Sequence, residues 1–264
     1  MLTTRSVTGA PNWLDVGTSD LAGATAFYRA LFGWDFRPAG PGGDGYGMFR
    51  LADRTVAGGM QTTPEMGPPS WTVYFRTPEA DATAKAAENA GGGVPVPPTD
   101  ITDQGRMALL TDQAGAVFAL WQPGLNQGLE TVGTPGSLCW TELHTPDVAR
   151  AAAFYAAVFG WQTSAVRFPG GVYTSVRPAG TEVDASFGGF VPLNGGPAGR
   201  DDRPYWLPYF AVTDADAAVA AAQERGGTVR TPVTDVTGVG RTAGLADPYG
   251  ARFAVIEGVP QRQG

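Results

Sequence analysis

The chain has 264 residues, 43% of them hydrophobic and 16% charged, with 38 Gly, 22 Pro and a formal net charge of −7. The apolar content excludes a disordered chain, and negative charge spread along the sequence argues against a nucleic-acid partner. A single cysteine, Cys139, excludes an internal disulfide. No apolar run reaches the ~18 residues of a membrane span, and the opening MLTTRSVTGAPNW has no signal-peptide core, so a cytoplasmic protein without a membrane partner is expected.

In Trp13–Thr18, Leu14 and Val16 alternate with Trp13, Asp15 and Gly17, which predicts a half-buried strand. Ser19 or Asp20 caps a helix whose apolar positions Leu21, Ala24, Phe27, Tyr28, Leu31 and Phe32 keep helical spacing, and Gly33 closes it with left-handed backbone. Strands are expected at Trp34–Arg37, Tyr46–Leu51 and Thr55–Gln61. A second unit opens with a strand at Trp71–Arg76 and continues with an Ala-rich helix from Pro78 to Ala90. It stops at Gly91–Gly93, a helix stop and not a phosphate loop, because no Lys-Ser/Thr follows. The last two strands flank an Asp112–Gly115 hairpin turn.

The second half repeats the first. DLAGATAFYRALFGW at Asp20–Trp34 returns, 127 positions on, as DVARAAAFYAAVFGW at Asp147–Trp161. Gly105-Arg106 and Asp112/Gly115 return 135 positions on as Gly240-Arg241 and Asp247/Gly250, so a few residues are inserted in the later half of copy two. An internal repeat sets the architecture: an α+β chain of two tandem domains, 10–122 and 137–258, joined by a linker at 123–136. Each copy reads as two βαβββ units.

The strand, the capped helix with Phe-Tyr and a closing Phe-Gly-Trp, and the later Asp-x-x-Gly-Ala-x-Phe-Ala together resemble the vicinal oxygen chelate superfamily of glyoxalases, bleomycin-resistance proteins and extradiol dioxygenases. The resemblance covers nearly the whole chain as a tandem pair. It implies that each pair of βαβββ units forms a curled mixed sheet, a cup, whose inner face carries the site. In metal-dependent members the ligands fall at positions held here by Trp13, Thr72 and Ala119 in copy one and by Trp140, Leu207 and Ala254 in copy two. None is a His or Glu, and the chain owns one histidine. The expectation is a member without the metal ligands and without a cofactor, for which glyoxalase I chemistry and extradiol ring cleavage, both needing an ion, are disfavoured.

The same face is expected to carry Trp13, Asp15, Thr72, Tyr74 and Trp121 in copy one and Trp140, Glu142, His144, Leu207 and Tyr209 in copy two. Trp in place of a metal ligand offers a stacking surface for a planar or apolar organic molecule, although aromatics on strands also simply fill a core. Glu142 and His144, two apart on a strand, point the same way; the pair suits acid–base work, ligand orientation or a structural hydrogen bond. Asp15 matches Glu142 in copy one, while Gly17 replaces His144. Arg106 and Arg241, at matching positions, are expected to make structural ion pairs, and Cys139 to be an inert thiol. Two functions follow from these residues. One is a small-molecule binder that sequesters a drug-like or natural-product ligand; the other is a metal-independent isomerase, cyclase or lyase using Glu142 and His144. In either case the partner is a small molecule and the protein a monomer or homodimer.

Overall fold

The structure, a computed structural model, describes residues 2, 7–40, 45–168, 171–193 and 203–258. The first repeat forms β1 (Pro11–Thr18), α1 (Leu21–Phe32), β2 (Asp35–Pro38), β3 (Tyr46–Leu51), β4 (Arg54–Gln61), β5 (Ser70–Arg76), α2 (Ala80–Asn89), β6 (Gly93–Ile101), β7 (Gly105–Thr111) and β8 (Val117–Pro123). The second forms β9 (Leu138–Thr145), α3 (Val148–Phe159), β10 (Gln162–Phe168), β11 (Gly171–Arg177), β12 (Gly188–Pro192), β13 (Tyr205–Ala211), α4 (Ala215–Glu224), β14 (Thr228–Val236), β15 (Gly240–Ala246) and β16 (Arg252–Gly258). Each repeat contributes one open eight-stranded sheet, ordered β2-β3-β4-β1-β5-β8-β7-β6 and β10-β11-β12-β9-β13-β16-β15-β14. The sheets are mixed: β1 with β4 and β5 with β8 run parallel, the hairpin pairs antiparallel. No helix among the described residues is long and apolar enough to cross a membrane.

Local chemistry sets the helix ends. Asp20, not Ser19, caps α1, its carboxylate accepting from Gly23 N at 3.0 Å, and Asp147 does the same for Arg150 N in α3 at 2.9 Å. Gly33 (φ 74°) and Gly160 (φ 69°) close these helices in the left-handed region, where a side chain would be strained. Trp34 falls outside the strand expected for it. It is fully buried, and its indole N–H donates to Gly136 O at 2.7 Å.

Packing divides the chain differently from the sheets. One compact unit comprises Met1–Leu14, Thr72–Leu129 and Trp140–Leu207; the other comprises Asp15–Trp71, Glu130–Cys139 and Pro208–Gly264. Each unit thus draws on both repeats, and each holds one copy of the same buried relay. In the first, Trp206 Nε1 donates to Tyr155 OH at 2.9 Å, and Tyr155 OH donates to Asp112 Oδ2 at 3.4 Å. In the second, Trp71 Nε1 donates to Tyr28 OH and Tyr28 OH to Asp247 Oδ2, both at 3.0 Å. The other oxygen of each aspartate caps its hairpin turn, Asp112 Oδ1 accepting from Ala114 N and Ala116 N, Asp247 Oδ1 from Tyr249 N and Ala251 N. The Phe-Tyr of a helix and the Asp of a turn are therefore partners, with each tyrosine bonded to the aspartate of the other repeat.

Aromatic rings fill the space around each relay. Tyr28 packs against Phe32, Trp34, Phe49 and Phe253, and Tyr155 against Phe118, Phe159, Trp161 and Phe190. In such surroundings an unpaired polar atom is costly. Tyr28→Phe leaves the Trp71 N–H without its acceptor and Asp247 Oδ2 without its donor. It is expected to cost about 1–3 kcal/mol in urea unfolding. Tyr155→Phe is expected to cost a similar amount, and because the two relays share no partner, the double variant should show roughly the sum.

Candidate functional site

Alternation sorts every strand into two faces. On β9, Thr141 and Leu143 are fully buried, leaving Trp140, Glu142 and His144 together on the other face, each half-buried, with 14% of the Glu142 and 19% of the His144 side chain exposed. A hydrogen-bonded chain links Trp140 to Glu142. Trp140 Nε1 donates to Tyr173 OH at 2.8 Å, and Tyr173 OH, from β11, donates to Glu142 Oε1 at 2.8 Å. Glu142 Oε2 then stands 3.6 Å from His144 Nε2, which makes no hydrogen bond among the described residues. His144 stacks on Tyr205 of β13, with ring centroids 4.7 Å apart and planes 4° from parallel. Burial, and then the charge of Glu142, hold the Tyr173 phenol protonated, so it acts on the carboxylate as a donor. All five side chains belong to the first unit.

The first repeat carries a reduced version, within the second unit. Tyr46 OH donates to Asp15 Oδ2 at 3.4 Å, and Asp15 is buried. In both repeats a glycine makes room for the tyrosine ring. A Cβ on Gly58 would lie 2.0 Å from Tyr46 OH, and one on Gly189 2.2 Å from Tyr173 OH. These glycines pair in register with the carboxylates, Gly58 with Asp15 and Gly189 with Glu142. Tyr46 and Tyr173, 127 positions apart, were detectable through the repeat offset that relates α1 to α3. Tyr205 offered no such signal, since Ser70 holds its place in repeat one.

Four of the other expected lining residues are less accessible. Trp13, Tyr74, Trp121 and Leu207 are buried, whereas Thr72 and Tyr209 are half-exposed. Trp121 is fixed, its indole N–H donating to Asn126 O at 2.9 Å while its ring lies against Gly105. Tyr74 pairs in register with Ala119, and Tyr209 with Ala254. Each of those alanines stands where the resemblance expects the final glutamate. Arg106 bonds Asp81 and Asp100, and Arg241 bonds Asp216, so these arginines are structural in both repeats.

Comparison with known proteins places this geometry. Residues 137–255 match the Glyoxalase/Bleomycin resistance protein/Dioxygenase superfamily, and residues 13–121 match the Glyoxalase-like domain. The chain belongs to the glyoxalase/bleomycin resistance/dioxygenase superfamily. Within it, the chain is 40% identical over 261 residues to a Mycobacterium tuberculosis protein named "Putative glyoxylase CFP32", covering 96% of this chain and 97% of that one. It is also 40% identical over 269 residues to the anthracycline biosynthesis protein DnrV of Streptomyces peucetius, covering 96% and 95%. Among solved structures, the Mn(II)-bound glyoxalase from Novosphingobium aromaticivorans shares the fold with a TM-score of 0.64 at 14% identity, covering 95% of this chain and 82% of that one. The 2,3-dioxygenase LapB from Pseudomonas sp. KL28 also gives a TM-score of 0.64, at 15% identity, covering 95% and 93%.

The residues present do not fit a metal of the kind named in that glyoxalase. Indole, hydroxyl, isobutyl and methyl groups stand at the six ligand positions, and among the described residues no group of three or more His, Cys, Asp or Glu could hold an ion. Nor does Cys139 supply a nucleophile. Its thiol donates to Tyr209 O at 3.3 Å, and burial pushes its pKa up to about 12. Iodoacetamide at pH 8 is therefore expected to label Cys139 in the folded protein at least ~100-fold more slowly than in urea, as read by mass spectrometry.

Proposed function

We propose that the protein binds a planar, largely apolar organic molecule of the drug-like or natural-product class, without a metal, on the second-repeat face formed by Trp140, Tyr173, Glu142, His144 and Tyr205. The observation that carries this reading is the hydrogen-bonded chain Trp140–Tyr173–Glu142 with His144 3.6 Å beyond it. It sets a half-buried aromatic surface beside a carboxylate and an imidazole, where among the described residues no group of three or more His, Cys, Asp or Glu could hold a metal. Aromatic faces supply stacking area, and the two polar groups orient hydroxyl or carbonyl substituents. The 40%-identical relative named for anthracycline biosynthesis supports the ligand class, since anthracyclines are fused-ring aromatic compounds. Sequestration of such a molecule, as in resistance, is the simplest use of a site of this kind. Trp13, Thr72, Tyr74, Trp121, Leu207 and Tyr209 are proposed as further ligand-binding residues on the faces of the two repeats, and the domains are taken as 10–122 and 137–258. The protein is proposed to act in the cytoplasm, as a monomer or homodimer.

A second reading rests on one atom. His144 Nε2 is shielded from solvent, stands 3.6 Å from Glu142 Oε2 and makes no hydrogen bond among the described residues, so a bound molecule that reached it would meet an unsatisfied ring nitrogen beside a carboxylate. On this reading the protein is a metal-independent isomerase, cyclase or lyase, with Glu142 and His144 as acid and base and Asp15 as their reduced counterpart.

Calorimetric titration with 1,4-dihydroxyanthraquinone, alongside a thermal-shift screen of fused-ring metabolites, separates the readings. For a binder, Trp140→Ala and His144→Ala should each weaken binding by roughly 1–3 kcal/mol. For an acid–base enzyme, His144→Ala should leave affinity nearly intact and lower turnover of an identified substrate by about 10²–10⁴-fold. If both variants bind and turn over every identified ligand like the parent, this face is not the site.

A further inference from the structure

Arg76, the last residue of β5, has no counterpart in the second repeat, where Ala211 stands 135 positions on. Its backbone is clamped to the stretch that leads into β1, Gly9 N donating to Arg76 O at 2.8 Å and Arg76 N donating to Ala10 O at 2.9 Å. Trp71, Val73 and Phe75 point into the core, so Arg76 shares the opposite face with Thr72 and Tyr74. On β8 it pairs in register with Trp121. The side chain is half-buried, and its Nη1 is shielded from solvent with no hydrogen-bond partner among the described residues. Arg29, Arg37, Arg106 and Arg241 all meet carboxylates, but no carboxylate pairs with Arg76 among the described residues. Burial alone lowers its pKa, with no neighbouring charge contributing.

A partly desolvated guanidinium with no carboxylate paired to it among the described residues carries a desolvation cost that a bound anion would offset. The absence of an arginine from the equivalent place in repeat two means that packing does not require one there. We propose that Arg76 is the anchor of a binding site for an organic carboxylate carried on an aromatic frame, on the β5 face of the first repeat. The carboxylate engages the fork of guanidinium N–H groups, drawing Nη1 outward on its flexible stem into a two-point, charge-assisted contact. Tyr74 and Trp121, on the same face, make the surroundings aromatic, which favours an aryl acid over an aliphatic one or a free inorganic anion. Arg76, Tyr74 and Trp121 belong to the same compact unit as Glu142 and His144, and the Arg76 contact does not depend on whether that pair binds or catalyses.

Calorimetry with 2-naphthoate and the nearly isosteric 2-naphthol tests it at neutral pH. The parent is expected to bind the carboxylate at least ~10-fold more tightly, with the preference shrinking as salt rises. Arg76→Gln should abolish the preference and Arg76→Lys should keep part of it. A readout that needs no variant is phenylglyoxal labelling of the parent, followed by peptide mass spectrometry. 2-Naphthoate should protect Arg76 from labelling, and 2-naphthol should not. Equal affinities of the parent for the two compounds, no binding of either, a preference that survives in Arg76→Gln, or labelling of Arg76 unchanged by 2-naphthoate would each overturn the proposal.

Discussion

A buried phenol bonded to a buried carboxylate holds each half of this protein together. Burial pushes the tyrosines and the aspartates away from their charged forms, so each depends on the other and on nearby N–H groups to remain satisfied away from water. The aspartate shapes a hairpin turn with one oxygen and receives the tyrosine with the other. That tyrosine in turn accepts from a tryptophan on the strand carrying the central aromatic residues. Helix, turn and strand are thereby fixed to one another at a single point, and the aromatic side chains pack around it.

With the core side of each sheet committed to those rings, chemistry is confined to the opposite face. There the repeats have diverged where packing permits. Gly17 and Ser70 of the first repeat become His144 and Tyr205 of the second, and the stacked imidazole–phenol pair exists only where both changes occurred. The Tyr–carboxylate pair beside a glycine persists in both repeats, because the tyrosine ring occupies space that only glycine leaves open. Repeat one instead spends its distinctive cation, Arg76, near the end of β5.

Most of the fold was legible because it is written in local periodicity and stated twice. Helix caps at Asp20 and Asp147, the strand faces of β1 and β9, and the hairpin turns each depend on residues close in sequence. The pairing of Tyr28 with Asp247, and not with the Asp112 of its own repeat, was not legible. Both aspartates offer identical chemistry, and periodicity carries no information about which of two equivalent partners a side chain meets. At the candidate site, Glu142, His144 and Trp140 were readable from alternation on one strand. Tyr173 and Tyr205 were not read because they arrive from other strands, and a shared site across strands is set by register.

Reciprocal bonding between the repeats has an implication for how such a chain could arise. A polypeptide carrying a single repeat would own one helix tyrosine and one turn aspartate, yet the two serve different cores. Satisfying both would take a second identical molecule, each lending the other its turn. Gene fusion of such a pair would convert an intermolecular bond into an intramolecular one, removing the dependence on protein concentration. Once joined, the copies need no longer match, and one side can gain an imidazole while the other keeps a glycine.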